Sequence, residues 1–191
     1  YCDPSPAIGR FALVGTVIGV VLLLVCVFAG RFAAGWYFLY PLPFKGEWPQ
    51  WAAVTFLLAM TVLGATWLLW SLDLLRAIAA RYSLSQALAW HYLAGRSEPE
   101  LPPAVLITTV SLIAAVAALL SGVVLLVLFY VELLAGTASD PLLMKNLTFF
   151  FGHTLVNLTL YLGIALVYDL LPVYAGRPWK TNRIVATSWN C

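Results

Sequence analysis

Asn146–Tyr168 reads NLTFFFGHTLVNLTLYLGIALVY, with no Asp, Glu, Lys or Arg and a single histidine, His153. A helix crosses the hydrocarbon layer with about 20 predominantly apolar residues, so this stretch is long enough to span a bilayer. Backbone groups in lipid must be satisfied within the segment or by a closed barrel. The dyad alternation of a barrel strand is missing here, so the segment reads as a helix.

Three other stretches have the same character: Phe11–Gly30, Trp48–Leu72 and Leu101–Val131. With their flanks, the four spans are expected at about 8–32, 48–80, 101–135 and 141–174. The fold class is all-α, a polytopic membrane helical bundle, with residues 1–191 forming a single membrane domain. Composition agrees. The chain has 191 residues, 63% hydrophobic and 9% charged, whereas soluble domains carry about 25% charged residues. A net charge of +2 gives no electrostatic footprint for nucleic acid.

The second span is expected to run past Leu72 through Asp73-Leu74-Leu75-Arg76. There the acid and base, three apart, share a face and can pair. Lys and Arg set the orientation. Arg10, Arg76, Arg81, Arg96, Arg177, Lys180 and Arg183 flank the spans on one side; Arg31, Lys45 and Lys145 lie on the other. The richer side, holding the N-terminal end, is expected in the cytoplasm. Tyr82–Gly95 reads as a short mixed segment along that surface. Gly35-Trp36-Tyr37-Phe38-Leu39-Tyr40-Pro41-Leu42-Pro43-Phe44 reads as a stiff turn at the interface, because prolines restrict the backbone and aromatics favour headgroup level.

Gly15-Thr16-Val17-Ile18-Gly19 is a GxxxG, which lets helices approach closely or recurs by chance in glycine-rich spans. Ala114, Ala115, Ala117, Ala118, Ser121 and Gly122 form a second face of small residues. Cys2, Cys26 and Cys191 make no CxxC pair, so neither a zinc site nor a disulfide framework is indicated. His91, outside the spans, reads as a surface or interface histidine. The sequons at Asn146 and Asn157 fall in or at the edge of a span, where glycosylation is physically excluded.

His153 carries most of the functional reading. An ionisable side chain within a span marks a functional site by default. Asn157, four residues on, occupies the same face one turn deeper. Tyr161 and Tyr168 continue roughly along it, with Thr159 and Asp169 off its centre. Such a stripe should face a bundle interior or cavity, as a metal site, a proton path or a substrate path. The other reading is a structural histidine bonded to a neighbouring helix. One imidazole cannot hold a metal alone, since such sites take three or four ligands.

The segment Asp140-Pro141-Leu142-Leu143-Met144-Lys145-Asn146-Leu147-Thr148-Phe149-Phe150-Phe151-Gly152-His153 resembles the D-P-x-L-x-x-x-L-F-W-F-F-G-H that opens the sixth helix of haem–copper oxidase subunit I. That family continues to a carboxylate, a proline, and a glycine before a basic residue. Asp169, Pro172, Gly176 and Arg177 fall at the same offsets from His153. Gly35-Trp36 through Tyr40-Pro41 resembles, more loosely, the family's W-T-x-Y-P-P-L loop, with an extra residue and Pro-Leu-Pro in place of Pro-Pro-Leu.

The resemblance implies helices three to six of a roughly twelve-helix subunit. The chain starts at Tyr1, not Met, and turns apolar again at Ile184-Val185-Ala186, which also reads as a fragment. By resemblance, His153 is a ligand of the non-haem metal, copper or iron, beside a haem of unspecified type. The other two ligands, a His-His pair, are expected on the next helix beyond Cys191, and the haem-ligating histidines lie outside the chain.

Asn157 stands where oxygen-reducing members with their cross-linked tyrosine on this helix carry that phenol. A carboxamide can neither form the cross-link nor supply a proton and electron. Either the tyrosine sits elsewhere or the substrate is NO, reduced to N2O, rather than O2, reduced to water. Thr154, where proline is usual, marks a divergent branch. Tyr168 matches a lower proton-channel tyrosine of the B-type oxidases, so Tyr168, Tyr161 and Thr159 are the expected proton path. Further implications are a bacterial or archaeal cytoplasmic membrane and three kinds of partner besides lipid. These are the remaining helices of the subunit, a small copper- or haem-containing subunit, and a cytochrome c or cupredoxin electron donor. The competing class is a non-catalytic four-helix scaffold or assembly subunit. A small transporter is a weaker third, because the spans lack the paired Gly/Pro breaks of midplane substrate sites.

Overall fold

The computed structural model describes residues 3–35, 38–95, 101–177, 179 and 181–191. Trp36 and Tyr37 of the aromatic connection, Arg96 and Lys180 of the charge pattern, and Cys2 lie outside the described residues. The order of elements is α1 (Pro6–Leu24), extended by a π turn over Val25–Ala29, then α2 (Leu42–Lys45), α3 (Gln50–Tyr82), α4 (Leu84–Ala87) and α5 (Trp90–Leu93). α6 (Pro103–Ala135), α7 (Pro141–Ala175) and α8 (Arg183–Asn190) complete it. Four of these helices are long and apolar enough to cross a membrane: α1 with its π turn, α3, α6 and α7. All described regular structure is helical, so the expected all-α membrane architecture is observed.

Local chemistry sets the helix starts. α1, α6 and α7 each begin on proline, whose fixed φ suits the first turn and whose missing N–H is not needed there. The Asp140 carboxylate accepts from the Leu143 N–H at 2.7 Å, capping α7. α6 and α7 end at Gly136 and Gly176, with φ of +67° and +61°, a left-handed step that glycine takes without a Cβ clash. α3 and α6 have 33 residues each and α7 has 35. At about 1.5 Å per residue they reach about 50 Å, so they overrun a hydrocarbon layer of about 30 Å.

The chain divides into two compact units. One contains 6–70 and 117–155. In it, a Cβ on Gly15 or Gly19 of α1 would run into Thr66 or Leu63 of α3, so the GxxxG is a working contact between these helices. The Trp67 indole N–H donates to the Thr16 hydroxyl at 3.0 Å across the same contact. The buried core includes Cys26, Phe32, Phe38, Phe56, Leu125, Phe129 and Met144. Rings from the connection after α1 sit in it. Phe32 stacks on Phe56 at 4.7 Å, and Phe38 approaches Phe56 at 5.1 Å. The aromatic connection thus plugs this unit's core as well as turning the chain. The Ser121 hydroxyl donates to the Leu147 carbonyl at 3.3 Å, and Gly122 admits the Phe151 ring, so the small-residue face of α6 receives α7.

The other unit is made of the described parts of 1–5, 71–116 and 156–191. Asp73 and Arg76 pair as their spacing predicts, at 2.7 Å. The Asp73 carboxylate also accepts from the Ser5 N–H at 2.6 Å. Tyr82–Gly95 forms two single turns, α4 and α5, and α5 packs on α8. The Asn190 side chain stitches them, accepting from the Trp90 indole at 3.2 Å and donating to the Leu88 carbonyl at 2.9 Å. His91, expected at the surface or interface, is buried and lies against Tyr92 with ring centroids 4.2 Å apart. Its position inside the α5 turn that α8 packs against accounts for the difference.

Candidate functional site

A helix turns about 100° per residue, so neighbours along α7 face different ways. Phe151 lies against Gly122 and points inward, where it also meets Phe38 at 6.5 Å, edge to face. His153, two residues on, is therefore rotated by about 200° from it. It is exposed, and its ring stacks on Phe149 with centroids 4.9 Å apart and planes at 28°. Phe150, Val156, Asn157 and Leu160 are exposed with it. Of the four spanning helices, α7 is the least covered by the rest of the chain. In its most apolar window 11% of residues are buried, against 39% in α3 and α6.

The polar stripe is expected to face a bundle interior or a cavity; His153, Asn157, Thr159 and Tyr161 are exposed on this chain. Phe151, not His153, lines a partly open apolar space in the 6–70 and 117–155 unit. That cavity, of about 250 Å³, is bounded by Met60, Gly64, Ala65, Gly122 and Phe151, with Thr61 and Tyr130 as its polar residues. The Thr61 and Tyr130 hydroxyls bond each other at 2.9 Å. Sequence reading passed over this pair. Nothing in the sequence set these two hydroxyls apart from the other Thr, Ser and Tyr residues of α3 and α6.

Of the residues expected on a proton path, Trp189 gathers two. Tyr161 meets its ring edge to face at 5.7 Å and Tyr168 at 6.3 Å. Thr159 is exposed. Tyr168 and Asp169 also line a hollow of about 340 Å³ with Pro102, Pro172 and Trp179. Glu132, at the end of α6, was likewise missed from sequence. Its carboxylate accepts from the Tyr40 hydroxyl at 3.2 Å and the Ser139 N–H at 3.2 Å. Burial, then the Glu132 charge and hydrogen bond, hold the Tyr40 phenol above its ordinary pKa.

Metal binding by this chain is limited by its donor set. Among the described residues, no group of three or more His, Cys, Asp or Glu side chains gathers as a metal site would require. His153 alone fits one coordination position: an exposed imidazole on an uncovered helix face.

A family model described as cytochrome c and quinol oxidase polypeptide I matches residues 4–190. No curated protein and no solved structure matches the chain. The family generally binds haem and copper and falls within an oxidoreductase superfamily. With its four spanning helices and a match over almost its whole length, this chain is a multi-pass membrane member of the cytochrome c and quinol oxidase polypeptide I family.

Proposed function

We propose that this chain forms the part of a membrane terminal oxidoreductase that supplies His153 as one ligand of a non-haem metal beside a haem. The observation that carries the reading is the exposure of His153 on α7, the spanning helix whose most apolar window is least buried. An ionisable side chain within a span calls for a functional role by default, and an exposed apolar helix face calls for neighbours. Both are met if the remaining helices of the subunit pack on α7 and bring the other metal ligands. The metal, copper or iron, and the haem would supply electron transfer and substrate binding. This chain would fix the imidazole direction, keep the face dry and carry protons toward it.

The substrate we favour is NO, reduced to N2O, over O2. The reason is Asn157: a carboxamide N–H is far too weakly acidic to give up its proton as a phenol does, and the group cannot serve as a redox-active phenol. Tyr168 and Tyr161, gathered on Trp189, are the best-placed hydroxyls for proton entry, and Asp169 shares the hollow beside Tyr168. The excess of Lys and Arg supports a cytoplasmic side for that end, and the family resemblance supports a bacterial or archaeal membrane. A small copper- or haem-containing subunit and a cytochrome c or cupredoxin donor complete the assembly. The test is anaerobic NO consumption with N2O detection by the complete enzyme, run beside O2 uptake. NO turnover with negligible O2 uptake is expected; robust O2 reduction by the unmodified enzyme overturns the preference.

A further inference from the structure

Gly122 and Phe151 meet two residues before His153. A Cβ built on Gly122 falls 2.6 Å from Phe151 Cδ2 and 2.8 Å from Cε2, closer than side chains tolerate. Glycine is thus the residue that admits this ring at this depth. The same contact faces the apolar cavity, which Gly122 and Phe151 both line. One turn earlier on α7, the Leu147 carbonyl receives the Ser121 hydroxyl at 3.3 Å, and Met144 and Thr148 are buried on the same side. α7 is therefore held against α6 along one face, by a ring in a notch and a hydrogen bond. Elsewhere α7 has little cover of its own.

We propose that the Phe151–Gly122 contact is a rotational lock that directs His153, making Gly122 and Phe151 positioning residues for the non-haem metal. The inference rests on the ligand role given to His153 above. The lock works through helix geometry. Phe151 seated in the Gly122 notch leaves His153 about 200° round the helix, on the face open to the rest of the subunit. A rotation by one residue, about 100°, would carry the imidazole out of line with any ligand set built on that face. The Phe149 ring stacked on His153 limits how far the imidazole can swing on its own. A chain whose α7 could turn would hold the same ligand without aiming it.

The test uses the complete purified enzyme and three variants: Gly122→Ala, Phe151→Leu and the double. The readouts are the rate of non-haem metal loss to a chelator, the spectrum of that metal, and haem content. Gly122→Ala should speed metal loss at least tenfold and alter the metal spectrum with haem content unchanged. The double variant, with room restored for the new methyl, should recover most of the native rate. Metal loss at the native rate in Gly122→Ala, or no recovery in the double, overturns the lock. Should Gly122→Ala fail to accumulate, Phe151→Leu decides: faster loss with haem retained supports the lock, and an unchanged rate overturns it. His153→Ala separates the two claims, because full metal retention there removes the ligand assignment itself, whatever the lock variants do.

Discussion

Tyr40 donates its phenolic hydrogen to Glu132 across 3.2 Å, joining the connection after α1 to the end of α6. The same carboxylate receives the Ser139 N–H, and Ser139 precedes the Asp140 that caps α7. One side chain thus ties two connections together beside the start of the helix that bears His153. Glu132→Leu should release both, raising amide hydrogen exchange of residues 38–45 and 139 about tenfold by mass spectrometry, in line with loss of charge-assisted bonds. Glu132→Gln, which keeps one acceptor, should show a smaller rise. Equal protection in all three proteins would remove the tie.

The Tyr40 bond also predicts a pH dependence. Its folded pKa is raised, by burial first and then by Glu132. A raised pKa makes the protonated form the stabilised one, so the contribution is complete below the unfolded value near 10. It is lost as the pH rises through the higher folded value. Exchange in residues 38–45, taken relative to the base-catalysed rate of an unprotected amide, should therefore accelerate only in alkali above about pH 10. The acceleration should be absent in Tyr40→Phe, which starts from the released state.

Close approach of α1 and α3 depends on glycine at two positions. Gly15→Leu places a side chain where Thr66 already lies, and such overpacking costs about 1–3 kcal/mol. Gly9→Leu is the control, because a Cβ there has nothing within 4 Å. Unfolding in mixed detergent should show a lowered midpoint for the first and little change for the second. Equal midpoints would mean that the GxxxG contact is not closed.

The α7 cap has a measurable share in stability. Asp140→Ala removes the acceptor for the Leu143 N–H and should cost about 1 kcal/mol, whereas Asn at the same position largely keeps it. Detergent unfolding of the Ala and Asn variants checks this, and indistinguishable stabilities would contradict it.

Much of the fold was legible because lipid permits few alternatives. Charges cannot sit in a span, so stretches without Asp, Glu, Lys and Arg mark the helices. Prolines at 103 and 141 begin α6 and α7 and glycines at 136 and 176 follow them, boundary signals that the charge pattern alone does not use. Asp73 and Arg76 could be paired from spacing alone. What sequence could not give was the inward face of α7. Phe149, Phe150 and Phe151 are equally apolar and point about 100° apart. The choice among them is made by Gly122, on another helix. The burial of His91 was hidden for the same reason: α8 comes from nearly the far end of the chain. The polar stripe around His153 could be identified from its residues, and its exposure on this chain could not, because which face a helix leaves open depends on where its neighbours pack.

Asn157 makes a prediction about substrate. If NO is reduced, no phenol is needed there, so Asn157→Tyr should leave NO turnover within about tenfold of the parent and confer no O2 reduction. That range is less than 1.4 kcal/mol in barrier height. N2O production and O2 uptake by the two enzymes check it. An oxygen reductase created by this single change would show that Asn157 alone had set the substrate.

The ligand role of His153 is tested most directly by metal analysis of the complete enzyme carrying His153→Ala. Removal of one of three or four donors should empty the non-haem site while haem content stays at the parent level. A variant that keeps its full complement of non-haem metal would contradict the account.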